Sequence, residues 1–379
     1  MTLELIDDGR KAADTIAELA EEPSLALDLE AAGFHRYSDR LCLIQISTRE
    51  GRDVILDPLE LELRDLLRPL LENPAQALYM HGGDYDFRLL DRDLDIHPQG
   101  VFDTQIAAAL LGVDGIGLAA LLDGHFGVRL SKKYQRADWA RRPLEPEMLE
   151  YAASDTRYLH RLADILAGQL EEAGRRAWAE EEFRLLEAIR WTAEEPDDPV
   201  TRVKGAHRLE NREVARLREA LAWRDQIARS QDRAPFRVAP DSALLEVART
   251  APDSISDLVG MKGMHRRVAK ESGRDLVERV RAVEALADAE IDGYPPRERS
   301  GPGRPPPEVE ELANRLKAVR NRVADELGLD RGVLLPNAAL LDLAREAPAT
   351  PEGFGMVPGV KRWQATVVGP KMLPLLQGL

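Results

Sequence analysis

Asp28 and Glu30 stand two residues apart in LALDLE (25–30), whose alternating apolar residues predict a β-strand. On a strand both carboxylates leave the same face, where they repel. Asp-x-Glu alone is common in an acidic chain; the DAE at 288–290 reads as a solvated helix face. What gives the first pair chemical meaning is the acids that can join it. YMHGGDYDFRLL (79–90) ends a strand at His81 and opens a helix near Asp84. Asp86 then lies in the first helical turn, while Asp84 reads as a cap and dipole partner. LEYAASDTRYLHRLADIL (149–166) reads as one helix, with Tyr151 and Asp155 four residues apart on one face. A competing pair, Tyr134 and Asp138, lies in KKYQRADWARRPL (132–144), which is polar, lacks helical periodicity and stops at a proline.

Four carboxylates drawn to one point raise each other's pKa strongly, and only cations make the cluster tolerable. Oxygen ligands without cysteine favour a hard divalent ion, Mg²⁺ or Mn²⁺. Two such ions about 3.5–4 Å apart form the clamp used in phosphoryl hydrolysis, activating water on one side and steadying the departing oxygen on the other.

The elements that must carry these acids are strands first, then helices. LALDLE (25–30), RLCLIQIS (40–47) and DVILDP (53–58) lie too close together for crossovers, so they predict an antiparallel meander. A helix near 60–72, a fourth strand at 77–82 and helices around 84–93, 103–112, 117–125 and 146–170 complete an α/β domain with a mixed sheet and flanking helices. Beyond residue 180 only helical periods remain. TAEEPDDPVTRVKGAHR (192–208) reads as a linker, and DGYPPRERSGPGRPPPE (292–308) as a Pro/Gly-rich one. The segments that follow repeat at a constant offset of 96: Pro240 with Pro336, Leu244 with Leu340, Gly263 with Gly359, Arg224 with Arg320. This is one small all-α helical domain present twice. The expected organisation is 1–190, a linker at 191–208, helical domains at 209–290 and 308–379, and a linker at 291–307.

The chain is 44% hydrophobic and 31% charged, as a globular domain is. Residues 1–201 carry 22 basic against 41 acidic side chains, while the rest is mildly basic. An acidic front half repels phosphate unless metal cations intervene. The start, MTLELIDDGRKAADTI, has no basic, apolar leader pattern, and no run approaches a membrane span, so no membrane partner is expected. The single cysteine, Cys42, excludes an internal disulfide and a thiolate cage; it reads as a buried small hydrophobe, and the chain as cytoplasmic.

Secondary candidates surround the acids. His81 is a phosphate contact or a strand-end cap, and Asp103 with Thr104 reads as a helix cap. Gln45 reads as an ordinary strand residue in preference to a sheet-end polar contact. Lys132, Lys133, Arg141 and Arg142 read equally as contacts to a phosphate backbone or as a solvated basic loop; Phe34 and Trp139 are candidates for stacking on a base, with packing favoured for Trp139. Lys262, Arg266, Arg267 and Lys270 form the best basic cluster of the repeats, beside the MKGM turn.

The ordered motifs resemble those of the DEDD exonucleases, and specifically of ribonuclease D. LALDLEAAGFHRYSDRLCLIQIS resembles the first exonuclease motif, HGGDYDFRLL the second, and YAASDTRYL the third in its tyrosine form. FDTQIAAALLG (102–112) and KKYQRADWARRPL resemble family stretches between the motifs, and the helical repeats are similar to HRDC domains. One position departs: Val319 stands where the first repeat has Trp223.

The resemblance implies an RNase H-like sheet and metal-dependent 3′-5′ hydrolysis of RNA to nucleoside 5′-monophosphates. It also implies RNAs with a free 3′ end as partners, tRNA precursors among them, acted on by a monomer. Asp28, Glu30 and Asp155 would hold the nucleophile-side metal, and Asp28 and Asp86 the second, Asp86 directly or through water. Tyr151 would orient the attacking water. A 3′-5′ DNA exonuclease and a non-catalytic RNA-binding protein are the alternatives.

Overall fold

The computed structural model describes residues 2–193, 197–296, 303 and 305–377. Parts of both expected linkers, 194–196, 297–302 and 304, lie outside them. The predicted meander is present as β2 (Ser24–Ala31), β3 (Leu41–Thr48) and β4 (Arg52–Leu56), paired antiparallel in sequence order. β1 (Thr2–Ile6) adds parallel to β4, and β5 (Ala77–Met80) and β6 (Val101–Asp103) extend the other edge in parallel. The six-stranded order is β1-β4-β3-β2-β5-β6. β1 and β6 escape local reading because each is short and finds its partner far along the chain.

Alternation along β2 divides the sheet. Leu25, Leu27 and Leu29 enter a core with Ile44, Ile46 and Leu56, which α1 (Gly9–Leu19) and α2 (Arg64–Leu71) cover with Ile16 and Leu67. The opposite face, with Leu43 and Ile55, receives Met148 and Ala152 of α6 (Pro146–Thr156). α3 (Asp84–Leu89) continues into a π turn at Leu90–Leu94; α4 (Thr104–Leu111) and α5 (Leu118–Phe126) follow β6. The segment expected as one helix breaks at Arg157 and Tyr158 into α6 and α7 (Leu159–Glu172). α6 lies on β2, β3 and β4, whereas α7 packs on β5 and α4, and one straight rod cannot follow both surfaces. α8 (Arg176–Glu187) closes this part of the chain.

The repeat is reproduced element by element. α9 (Asn211–Ser230), α10 (Pro235–Val238), α11 (Asp241–Thr250), α12 (Ile255–Gly260) and α13 (Arg266–Glu284) form the first unit. α14 (Pro307–Leu327), α15 (Arg331–Leu334), α16 (Asn337–Glu346), α17 (Pro351–Met356) and α18 (Arg362–Leu376) form the second, each starting 96 residues later. The repeated arginine does the same work twice: Arg224 donates to Ala239 O at 3.1 Å, and Arg320 to the equivalent Leu335 O at 2.5 Å. Trp223 is buried and donates to Ser272 O, so its exchange for Val319 concerns packing. Val200, Val203 and Ala206, within the stretch read as the first linker, are buried in the core of the first unit.

The two units meet the α/β part differently. The second shares one apolar core with it, in which Leu110, Leu166 and Phe183 join Leu316, Leu343 and Trp363. At the start of α18, Glu181 accepts from the backbone N–H of Arg362 and Trp363, while Glu182 accepts from Lys361 Nζ and Trp363 Nε1 at 2.5 and 2.7 Å. The rings of Trp178 and Trp363 stack 4.8 Å apart. Gly112, with φ +73°, ends α4 so close to Gly328 that a Cβ there would stand 1.8 Å from the Gly328 carbonyl oxygen. The first unit keeps a separate core and touches the α/β part through Tyr37 and the loop around it.

Candidate active site

Because Leu25, Leu27 and Leu29 claim one face of β2, Asp28 and Glu30 must face α6. Asp28 stands opposite Gln45 and Glu30 opposite Leu43, and a bulge after Glu30 ends the pairing. Asp155 arrives from α6, whose end is fixed by a buried polar network. Ser47 donates to Asp53 Oδ1 at 2.7 Å, Ser47 Oγ lies 2.6 Å from Thr156 Oγ1, and Arg157 donates to Asp53 Oδ2 at 2.8 Å. Asp86 arrives from α3. Asp103 sets that helix start by accepting from the Gly83 N–H at 2.8 Å, while also capping α4 as expected. Asp84 takes an exposed pairing with Arg88 instead of a cap bond.

One oxygen each from Asp28, Glu30 and Asp155 lies within 4.8 Å of the others, an arrangement that can hold a metal ion. Burial raises all four acids, since a low dielectric disfavours charge. Asp28 is pushed well above the usual carboxylate range by burial, then by Asp86, Asp155 and Glu30. Glu30 is raised by burial, then by Asp155 and Asp86. Asp86 is pushed up to about 7 by burial and by Asp103, and Asp155 to about 6 by burial. Oxygen-only donors that repel each other inside a protein fit a hard divalent cation. Tyr151 is raised too, by burial and then by Asp155, Glu30 and Asp28, so its hydroxyl keeps its proton and can only donate or orient. Another acidic group, Asp91, Asp95 and His97, is also close enough for an ion, but its charges are already met. Asp95 binds Arg64 and Arg68, and Asp91 accepts from His97 and the Trp191 N–H.

Beside Tyr151 opens a cleft of about 390 Å³, lined among others by Ser131, Lys133, Tyr134, Ser154 and Arg157. The rings of Tyr134 and Trp139 each lie 6.0 Å from that of Tyr151, and Trp139 is buried, in packing as expected. Asp138 instead binds Arg36, so the competing Tyr-Asp pair divides its two members between separate tasks. Lys132 and Lys133 are exposed. Arg142 turns inward: it binds Asp57 through Nε and Nη2 at 2.5 and 2.7 Å, and donates to Trp139 O and Cys42 O. Its guanidinium anchors the segment before α6. His81 places Nδ1 2.9 Å from Thr104 Oγ1, while its Nε2 is buried without a partner among the described residues; burial lowers its pKa. Phe34 is half-exposed beyond the end of β2. Lys262, Arg266, Arg267 and Lys270 are exposed on the first helical unit, with Arg267 paired to Glu271. Gln45, read from the sequence as an ordinary strand residue in preference to a sheet-end polar contact, is wholly buried opposite Asp28, with neither amide atom bonded among the described residues. Its one signal was a polar residue inside LCLIQIS.

Comparison with known proteins agrees with this fold. A family model described as 3′-5′ exonuclease matches residues 3–171, and one described as HRDC domain matches 213–280 and 309–376. Ribonuclease D of Granulibacter bethesdensis is 31% identical over 95% of this chain and 89% of its own length. Ribonuclease D of Pseudomonas paraeruginosa is 29% identical over 99% and 98%. The crystal structure of Escherichia coli RNase D superposes with a TM-score of 0.68 at 25% identity, covering 100% of this chain and 99% of that one. An exonuclease sheet with its acids gathered under α6, followed by two HRDC domains along the full length of such relatives, makes this chain a member of the ribonuclease D family.

Proposed function

We propose that the chain is a 3′-5′ exoribonuclease that hydrolyses RNA from its free 3′ end and releases nucleoside 5′-monophosphates. The observation that carries the reading is the meeting of Asp28, Glu30 and Asp155 oxygens within 4.8 Å, in a chain of the ribonuclease D family. In this reading the cofactor is a pair of divalent ions, Mg²⁺ or Mn²⁺. Asp28, Glu30 and Asp155 would hold one of them, and Asp28 and Asp86 the other. Such ions supply the positive charge that activates water and neutralises a departing 3′ oxygen. Tyr151, which keeps its proton, orients the water; a phenol so raised is no general base near neutral pH. His81 and Lys133 contact phosphate.

The proposed substrates are structured RNAs with a 3′ extension, tRNA precursors among them. The support is the Escherichia coli neighbour, itself an exoribonuclease involved in structured RNA processing. The proposed units are an exonuclease domain at 1–190, HRDC domains at 209–290 and 308–379, and connecting segments at 191–208 and 291–307, the first of which packs Val200, Val203 and Ala206 into the core of the first HRDC domain. They act together as a monomer in the cytoplasm. The test is incubation of 5′-labelled RNA with Mg²⁺, beside a DNA oligonucleotide of the same sequence. A ladder shortening from the 3′ end is expected for RNA and is abolished by Asp28→Asn. Hydrolysis that survives this substitution refutes the site.

A further inference from the structure

We propose that the seam between the exonuclease domain and the first HRDC domain carries a stacking platform for unpaired RNA bases upstream of the scissile end, an inference that rests on the exoribonuclease reading. The loop after β2 is held in a tight bend: Ala32 N–H donates to Arg40 O at 3.0 Å, and Gly33 N–H to Asp39 Oδ1 at 2.8 Å. Phe34 sits on that bend, 38% exposed. Phe236, in α10 of the first HRDC domain, is 48% exposed, and its ring centroid lies 5.5 Å from that of Phe34. Two large apolar rings from two domains thus stand side by side in water.

The charges around them separate a binding surface from a simple joint. The Arg237 guanidinium lies 4.8 Å from the Phe34 centroid and that of Arg136 lies 5.4 Å away. Arg237 is steered there by donating to Phe34 O at 2.8 Å and by a 3.2 Å contact to His35 Nε2. Among the described residues, neither Arg136 nor Arg237 pairs with a carboxylate. Their neighbours do: Arg36 binds Asp138 and Asp232, Arg40 faces Asp232, and Arg229 faces Asp225. The seam compensates the cations that hold it together and leaves uncompensated those over the rings. An aromatic face beside a free guanidinium is the chemistry that takes a nucleobase together with its phosphate, without regard to sequence.

The position suits an approaching strand. Phe34 is four residues past Glu30, so its Cα lies within about 14 Å of the acid's. Arg136 belongs to the segment whose Tyr134 and Trp139 flank Tyr151. A strand whose 3′ end reaches the acids therefore passes near the platform with its preceding nucleotides.

The experiment compares hydrolysis of a single-stranded oligoadenylate of about a dozen nucleotides, within the span of about 4–16 that such grooves cover, with that of a diadenylate, which lacks the upstream nucleotides. For Phe34→Ala and Phe236→Ala in the full chain, the ratio of kcat/KM on the long substrate to that on the short one falls about fivefold or more, as loss of a base–aromatic stack requires. Phe236→Trp restores the ratio, and its indole fluorescence is quenched when the oligonucleotide binds without metal. A ratio unchanged in both alanine variants overturns the platform, as does an equal loss on both substrates, which marks the rings as domain glue. Quenching that persists in a chain unable to hydrolyse either substrate refutes the exoribonuclease reading and keeps the platform.

Discussion

Asp28 sits buried among three other acids, so replacing it by asparagine acts on stability and on catalysis with opposite signs. Hydrolysis is lost with the ligand, while the metal-free fold gains by shedding a buried charge. The same physics sets a pH dependence. In the folded chain Asp86 holds its proton up to about pH 7 and Asp155 up to about 6, against 3.8 for an ordinary aspartate. A group raised in the folded state contributes stability that is complete below its unfolded pKa and lost as pH rises through its folded value. The metal-free protein is therefore expected to lose stability between about pH 4 and 7, and divalent ions to restore it where the acids are ionised. The rise in Tm on adding Mn²⁺ should be larger at pH 8 than at pH 5; equal rises would show that the acids are not the ligands. Tyr151→Phe should lower kcat about 10- to 100-fold, as loss of an orienting hydrogen bond does. The alkaline limb of the pH–rate profile should stay in place, because the hydroxyl never supplies a base. Asp28, Glu30 and Asp155, which do meet, were legible in the sequence because strand and helix periods put Asp28 with Glu30 and Tyr151 with Asp155 each on one face. Asp86 was placed only by the helix start after β5. Gln45 was not legible, because only the cross-strand register sets it against Asp28.

At the scale of elements, α6 matters more than its length suggests. It carries both Tyr151 and Asp155, and the Ser47, Asp53, Thr156 and Arg157 network beneath it fixes where they point. Asp53 is 1% exposed and lies on β4, away from the acid cluster in sequence. Asp53→Asn removes the buried partner of the Arg157 guanidinium and leaves it only the exposed Glu150; breaking a buried pair costs at most about 3–5 kcal/mol, and less where a second carboxylate remains. The expected outcome is a lower denaturant midpoint together with weaker Mn²⁺ binding in calorimetry, although no proposed ligand has been touched. Unaltered Mn²⁺ affinity would show that α6 is positioned by packing alone. The end of this helix was not legible: Arg157 and Tyr158 continue its period, and only the need to cover two different surfaces breaks the rod. β1 and β6 were hidden for a related reason, since both depend on partners that local pattern cannot name. The repeat was plain, because a constant offset preserved every turn and helix start.

At the scale of the molecule, the string of separate units suggested by the sequence becomes two different attachments. The second HRDC domain completes a core begun by α4, α7 and α8, so the exonuclease domain is unfinished without it. A chain ending at residue 296 would expose Phe183, Leu110 and their neighbours to water, at about 25 cal/mol per Å² of apolar surface. It is expected to melt earlier and to aggregate more readily than the full chain by light scattering. An unchanged Tm would show that the shared core adds nothing. Proteolysis within 291–307 should leave the two fragments eluting together. The start of α18 gives this architecture a directionality. Its Lys361, Arg362 and Trp363 grip Glu181 and Glu182, whereas the positions 96 residues earlier are His265, Arg266 and Arg267, all facing solvent. The duplicates have thus ceased to be interchangeable: a chimera bearing the earlier copy twice would fold each bundle, yet lack the tryptophan latch that closes the later one onto its neighbour.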